Sequence, residues 1–566
     1  MSSDRILGID LGTTNSACCI WENAAPKLIP NSLGKILTPS VVSFDHGTLV
    51  VGEIAKNRII SHPDLSVANY KRFMGSTKIF ELAGKNYRPE ELSAMVIKSL
   101  KEDAENYTGS TISRAVISVP AYFNDIQRKA TKRAGAIAGL EVDRVINEPS
   151  AAALAYGINL ESDKTFLVVD LGGGTFDVSI IDCYDKIIEI KASSGDNCLG
   201  GEDFLLALEL FYLEQCGIKR KDLTSSTRQN LLSILEDAKK ALSSQTKVSI
   251  PHLSDQKNKT IEITRDDFES ITGPLLERIK RPIIQALRDS KVDVDEIDNV
   301  ILVGGASRMP AIKKIVGLIM GRIPATILDP DTLIAAGAGI QAGLKEKNAD
   351  LDEYVLTDVC PFSLGVGIFN KNSLSEKDHL FSPIIERNHV VPVSRVHPYV
   401  TVCDNQKIIE LKIYQGESRF VKNNINIGEI NVPVPINKAG GETVDVRFSY
   451  DMNGILDVDV TVLSTGVMLS ATILNTSNDL SEEEIQKARK KLTELKFHPR
   501  DTQQIKLIMA RAERLYEVTL GANREFIAGQ MREYEGIIES QDKTIIEEAS
   551  TDFICLIEEM EKLLLL

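Results

Sequence analysis

Apolar and polar positions give the chain three successive textures. From residue 1 to about 345, short apolar runs alternate with stretches of helical periodicity. Arg5–Asp10, Ala115–Val119, Thr165–Asp170 and Asn299–Val303 read as strands, each followed by a turn or loop. Such alternation predicts an α/β layer architecture. Near residue 350 the pattern changes: Ala349–Asp358 is acidic, then apolar, without Gly or Pro, and reads as a connector. From Pro361 to about Asn475 strand-like runs dominate, among them Ile408–Tyr414, Val444–Tyr450 and Leu456–Val462. Asp451-Met452-Asn453-Gly454 joins the last two as a hairpin turn whose Gly can take positive φ. Ser481 with Glu484 three residues on forms a capping box, and apolar residues then recur at helical spacing to Leu566. The expected division is a domain at 1–348, a connector at 349–360, an all-β domain at 361–478 and a helical tail at 479–566.

At 566 residues the chain is too long for one core, which agrees with several domains. Hydrophobic content of 43% and charged content of 26% are those of a soluble globular protein. A formal charge of −15 disfavours phosphate backbones, so nucleic acid is not an expected partner. The eight cysteines include no Cys-x-x-Cys pair and suit neither a zinc site nor a disulfide framework. The first strand-like run starts at Arg5, leaving no room for a signal peptide, and no apolar run approaches membrane-spanning length. No membrane association is expected, and the expected compartment is cytoplasmic.

One internal echo carries chemistry. Ile9-Asp10-Leu11-Gly12-Thr13-Thr14-Asn15 and Val169-Asp170-Leu171-Gly172-Gly173-Gly174-Thr175-Phe176-Asp177 share one plan: strand, Asp at its end, glycine-rich turn, hydroxyl residue, strand. Glycine lets backbone N–H groups approach a phosphate, Thr hydroxyls donate to its oxygens, and a strand-end Asp can hold Mg²⁺ through water. Neither turn is a Walker loop, since no Gly-Lys-Ser/Thr follows. A single such turn is ordinarily just a hairpin; two matching ones suggest two related half-domains facing each other. A third glycine turn, Gly304-Gly305-Ala306-Ser307-Arg308, follows a strand and suits a base and ribose, with Arg308 able to stack; a plain βα turn is the rival reading. Glu236, Lys239, Lys240 and Ser243 fall on one face of a helix, which also fits a solvated charged face. Ser150–Ala153 and Ala335–Gly339 are runs of small residues that would let two helices cross closely at a hinge.

The strings IDLGTTNS, VISVPAYFNDIQRKATKRAG, INEPSAAALAYG, DLGGGTFDVSI, GDNCLGGEDF, VGGASRMP and YQGE together make the chain resemble heat-shock-protein-70 (DnaK-type) chaperones, from near Ile6 through at least Asn475. A shortened first half with TDVCPFSLG and FSPIIERN is similar to the bacterial HscC-type branch. The resemblance implies a multidomain protein: an actin-like α/β ATPase domain of two lobes, a β-sandwich peptide-binding domain and a short α-helical lid. It implies ATP or ADP with Mg²⁺, and K⁺ as a further candidate. Asp10 and Asp170 would hold hydrated Mg²⁺; Gly12, Thr13, Thr14, Asn15 and Thr175 would meet the phosphates. Lys71 would reach the γ-phosphate, and Glu148 and Asp177 would orient or deprotonate the attacking water. Gly172, Gly173, Gly174, Gly304 and Gly305 would bring backbone to the nucleotide, with Gly201, Glu202 and Ser307 beside it. Glu236, Lys239, Lys240, Ser243 and Arg308 would flank the adenosine, with Asp331 near it.

The same resemblance implies a relay through Pro120, Tyr122 and Arg128, and a J-domain co-chaperone meeting Arg144, Asn147 and Asp358. Unfolded polypeptide clients would lie in a channel at Val366, Ile368, Phe369, Val402, Ile409 and Leu411, with buried core as the rival reading for each. The chain also departs from the family. Phe369 and Val402 stand where Met and Ala are common, which implies narrower selectivity. Thr357 interrupts an otherwise apolar connector and implies looser coupling. The short stretch between Lys71 and Pro120 puts a standard nucleotide-exchange factor in doubt. A small-molecule phosphotransferase of the same two-lobed fold is the rival function, though nothing after residue 361 suits a kinase. A nucleotide-binding scaffold without turnover is a third reading, disfavoured by Lys71, Asp10, Asp170 and Thr175.

Overall fold

A computed structural model describes residues 5–45, 48–82, 84–157, 162–252, 260–324, 329–348, 351, 354–369, 379–452, 454–473, 508, 512, 516, 522–540 and 543–563. The chain forms two compact units, Met1–Phe362 and Ser363–Leu566.

The first unit is built on two sheets of matching plan. In the first, strands run in the order Glu141–Asn147, Arg114–Val119, Ile6–Asp10, Asn15–Glu22, Ala25–Leu28. Ile6–Asp10 pairs antiparallel with the strand after its glycine turn and parallel with Arg114–Val119. In the second, Lys164–Leu171 holds the equivalent place. It is antiparallel to Phe176–Tyr184 and parallel to Asn299–Val303, with Ile187–Asp196 next along. The echo read in the sequence is thus an echo of topology. The connector adds to the second sheet: Val355–Val359 pairs parallel with Ile187–Asp196, Val355 opposite Ile187 and Thr357 opposite Glu189. Leu356 and Val359 point inward while Thr357 is half-buried.

Central strands such as Ile6–Asp10 are buried along their whole length, as expected of strands covered on both faces. Three apolar layers result. One covers the outer face of the first sheet around Leu7, Ile9 and Ile117, and another that of the second around Leu167, Val169 and Phe204. The third lies between the sheets, joining Ile6 and Val116 to Phe166 and Val168 through the helices Glu148–Gly157 and Leu333–Lys345. Those helices cross as closely as their small residues suggest. A Cβ on Gly337 would lie 1.8 Å from the Ala151 carbonyl oxygen, and one on Gly8 would lie 2.3 Å from the Gly339 nitrogen.

The second unit holds two four-stranded sheets of antiparallel pairs. Their orders are Leu380–Ile385, Leu364–Ile368, Ile408–Gln415, Ile425–Pro433 and Val393–Val400, Thr443–Tyr450, Leu456–Val462, Met468–Thr472. Alternation places Val444, Val446 and Phe448 inside. Gly454 closes the predicted hairpin with φ 79°. The helices Ala522–Glu539 and Lys543–Leu563 share an apolar seam, where Tyr534 and Phe553 meet at 4.8 Å and the Tyr534 hydroxyl bonds the Ser550 hydroxyl at 2.8 Å. The Ser481 capping box lies outside the described residues. No described helix is long and apolar enough to cross a membrane.

Candidate nucleotide cleft

The backbone of each glycine turn is pinned by hydrogen bonds. In the first, the Gly12 N–H donates to the Ser16 hydroxyl at 3.1 Å, and the Ser40 hydroxyl donates to the Gly12 carbonyl at 2.7 Å. In the second, the Gly172 N–H closes on the Thr175 carbonyl at 3.1 Å, and the Gly201 and Glu202 N–H groups donate to the Gly172 and Gly173 carbonyls at 2.9 Å each. The turns face each other directly. A Cβ on Gly173 would fall 2.0 Å from the Thr14 hydroxyl oxygen, so glycine lets the two turns approach without displacing that hydroxyl. The third turn needs glycine for two reasons: Gly304 has φ 78°, and a Cβ on it would lie 2.4 Å from the Leu171 carbonyl.

Between the turns lies a cleft of about 570 Å³, including its mouth. Asp10, Gly12, Thr13, Thr14, Asn15, Lys71 and Glu148 line it from the first sheet and its connections. Asp170, Gly172, Gly173, Thr175, Gly304, Gly305 and Asp331 line it from the second, and Leu37, Pro330 and Ile334 complete the wall.

Lys71 lies on the 3₁₀ turn Tyr70–Phe73, is buried, and pairs with Glu148 at 2.9 Å. Glu148 begins its helix, placed there by the strand ending at Asn147. Burial, then the Glu148 charge, pushes the Asp10 carboxyl up to about 7, although the Ser118 hydroxyl donates to it at 2.8 Å. The same two causes push Asp177 up to about 8, and Asp170 is raised well above the carboxylate range, by burial first. The Asp170 Oδ2 atom is buried with no hydrogen-bond partner. Crowded carboxylates facing one buried ammonium are an unbalanced negative site, which a cation would relieve. Among the described residues no group of three or more His, Cys, Asp and Glu side chains forms a direct ligand set. With the Asp170 oxygen orphaned, Asp10 and Asp170 fit a hydrated Mg²⁺, which needs few carboxylates.

The other predicted residues stand back from the cleft wall. Asp177 lies behind it and accepts the Tyr122 N–H at 3.0 Å. Gly174 lies under the Arg72 side chain, where a Cβ would be 2.8 Å from Arg72 Cγ. Lys239 is buried, donating to the Gly201 carbonyl at 2.9 Å and pairing with Glu236 at 2.7 Å, while exposed Lys240 reaches Glu236 at 3.5 Å. Glu202 has its carboxyl raised, chiefly by burial. Ser243 corrects the expected helical face: the helix ends at Ala241, and the Ser244 hydroxyl bonds the Ala241 carbonyl at 3.2 Å in the turn that follows. Ser307 donates to the Gly304 carbonyl at 2.7 Å. Arg308, expected to stack, pairs at the surface with Asp331 at 2.7 Å and Asp329 at 3.1 Å.

A buried polar chain leads away from Asp177. Tyr122 belongs to the segment after Pro120 whose Ala121 and Phe123 carbonyls accept from Arg128 at 2.9 and 3.0 Å. Arg128 donates to Asn147 at 2.6 Å, and Asn147 donates to Asp358 at 2.8 Å. Ser150 also donates to Asp358, at 2.9 Å. Arg144 donates to Gln341 at 2.8 Å. In the second unit Val366, Ile409 and Leu411 are buried, Ile368 is half-buried, and Phe369 and Val402 are about half exposed. Phe369 meets His379 ring to ring at 5.9 Å.

Ser118, Arg72 and Asp203 carry contacts that the motifs did not signal. Asp203 alone had a local signature, as the third residue of a helix opening at Gly201. Against known families, residues 6–563 match the model described as Hsp70 protein. That match spans nearly all of the chain and both of its compact units. The chain, with its paired glycine turns, buried lysine and strand-end aspartates, belongs to the Hsp70 protein family.

Proposed function

We propose that this protein is an ATP-dependent chaperone that binds and releases extended apolar segments of unfolded or partly folded polypeptides, with Mg-ATP hydrolysis switching its grip. Family membership supports a chaperone that binds and hydrolyses ATP. The observation that carries the finer reading is the path from Asp177, at the back of the cleft, through the Ala121–Phe123 backbone, Arg128 and Asn147 to Asp358 in the connector strand. It gives the nucleotide cleft a physical route to the segment that leads into the second unit.

On this reading the first unit is an actin-like ATPase of two lobes, and the second is a β-sandwich with a short helical lid. Backbone N–H groups of the glycine turns and the hydroxyls of Thr13, Thr14 and Thr175 cradle the phosphates. Lys71 places its charge where the transferred phosphoryl develops negative charge, in a site from which water is largely excluded. Glu148 holds that ammonium and, with Asp177, orients the attacking water. Asp10 and Asp170 would hold Mg²⁺ through its waters, and the ion would supply neutralisation of phosphate charge. Hydrolysis is slow and acts as a timer. Phe369 and Val402, exposed and bulky, form an arch that favours a narrow set of clients. A J-domain co-chaperone meets the surface near Arg144, Asn147 and Asp358, and the branch is the HscC type.

The test is single-turnover hydrolysis of Mg-ATP by the full chain and by Lys71→Ala. The parent hydrolyses ATP, and the variant binds it but turns over about 100-fold or more slowly, the scale of losing a charge that stabilises a transition state. Equal rates, or no ATP binding by the parent, refute the assignment.

A further inference from the structure

The turn that carries Lys71 is tied on both flanks to the opposite side of the cleft. Asn69, which has φ 60°, hydrogen-bonds the Glu202 carboxylate. Arg72 donates to both Asp203 carboxylate oxygens at 3.1 Å and to the Cys198 carbonyl at 3.1 Å. Asp203 is itself fixed, because its Oδ2 accepts the Gly200 N–H at 2.8 Å at the start of the Gly201–Cys216 helix. The aliphatic part of Arg72 lies over Gly174, where an added Cβ would be 2.8 Å from Arg72 Cγ. Lys71, between these two ties, is the one side chain of the three that turns into the cleft.

We propose that the Asn69–Arg72 turn and the Gly200–Asp203 loop form a latch. The latch holds Lys71 in place only while the two sides of the cleft are closed, and it must break before nucleotide leaves. Arg72 and Asp203 are on this account positioning residues for hydrolysis and the contact that limits ADP release. The reasoning is geometric. Residues 69–72 connect to the first sheet, while residues 198–203 follow the last long strand of the second. Any separation of the two sides pulls the guanidinium from its carboxylate and carries the Lys71 ammonium with it. The pair is mostly shielded, each side chain 18% exposed, and the guanidinium contacts a carboxylate and a carbonyl at once, so a lysine could not replace it fully. The inference rests on the reading of the cleft as an ATP site.

The experiment measures two rates in the full chain: dissociation of a fluorescent ADP with Mg²⁺, and single-turnover ATP hydrolysis. It compares the parent with Arg72→Gln, Arg72→Lys, Asp203→Asn and the Arg72→Gln/Asp203→Asn double variant. Each glutamine or asparagine variant releases ADP about tenfold faster and hydrolyses ATP about tenfold more slowly, the size expected for coupled, partly buried charges. The lysine variant falls between, and the double variant matches the singles. A structural role without a latch would lower stability and leave ADP release unchanged. Release and hydrolysis within about twofold of the parent in Asp203→Asn, or effects that multiply in the double variant, overturn the latch. If Arg72→Gln does not fold, Arg72→Lys and Asp203→Asn carry the same comparison. A parent that neither binds nor hydrolyses ATP refutes the nucleotide reading and the latch with it; an active parent matched by its variants refutes the latch alone.

Discussion

Asp358→Ala removes the acceptor on which the connector strand depends. Its Oδ2 takes hydrogen bonds from Asn147 at 2.8 Å and Ser150 at 2.9 Å, and its Oδ1 takes the Val359 N–H at 2.8 Å. Asn147 and Ser150 are 7% and 0% exposed, so bulk solvent does not reach both donors directly. Each orphaned buried donor costs about 1–3 kcal/mol, and a water entering the vacated space recovers part of that, leaving about 3 kcal/mol. The loss falls on a strand that pairs with Ile187–Glu189 over only three residues. Opening of that strand should therefore become about 100-fold more frequent. Amide hydrogen exchange on the full chain reads this directly: the amides of Val355–Val359 exchange about 100-fold faster, while those of Lys164–Leu171 in the middle of the sheet keep their protection. Asp358→Asn keeps one oxygen for Asn147 and Ser150 but turns an NH₂ group toward the Val359 N–H, so its effect is intermediate, about tenfold. Exchange of the connector amides within about threefold of the parent in Asp358→Ala would refute the reasoning.

Gly337→Ala places a methyl 1.8 Å from the backbone of Ala151, which cannot yield without moving a helix, so denaturant unfolding should show a loss of about 3 kcal/mol. Gly529→Ala, on the Ala522–Glu539 helix with nothing near its added Cβ, should instead gain about 0.5–1 kcal/mol. A thiol reagent should modify Cys198, Cys403 and Cys555 rapidly in the native protein and reach Cys18, Cys19, Cys183 and Cys360 only after unfolding, since the latter are buried and burial pushes the Cys18 thiol up to about 12; mass-spectrometric counting of adducts before and after denaturation checks this.

How much was legible in the sequence follows from how local each signal is. The strands at Asn299–Val303 and Leu456–Val462 end where apolar pattern and turn residues place them. The two Asp-Leu-Gly turns announced the cleft because phosphate chemistry dictates glycine, Asp and Thr within a few residues. Helix periodicity ran too far at Ser243, because the polar Ser243-Ser244 pair after buried Leu242 favours a turn over another helical turn. Arg308 was assigned by its position after Gly305, while its partners Asp329 and Asp331 come from a distant loop. Arg72 and Asp203 are 131 positions apart, and no local pattern links them. The family resemblance placed Val366, Ile409 and Leu411 at a channel with buried core as the rival; all three are buried, and burial does not separate a channel wall from a core. The segment read as a connector; that part of it forms a strand was not legible, because its partner, Ile187–Asp196, lies far back in the chain.

The central claim is that nucleotide state in the first unit governs how long a polypeptide is held by the second. Its most direct measurement is the dissociation of a fluorescent apolar peptide from the full chain, followed by anisotropy before and after Mg-ATP is added. The account predicts about tenfold or greater acceleration of release on adding ATP, the scale of an ordinary coupling energy between sites, and loss of that acceleration in Asp358→Ala. A peptide that binds and then leaves at one rate with and without Mg-ATP would contradict it.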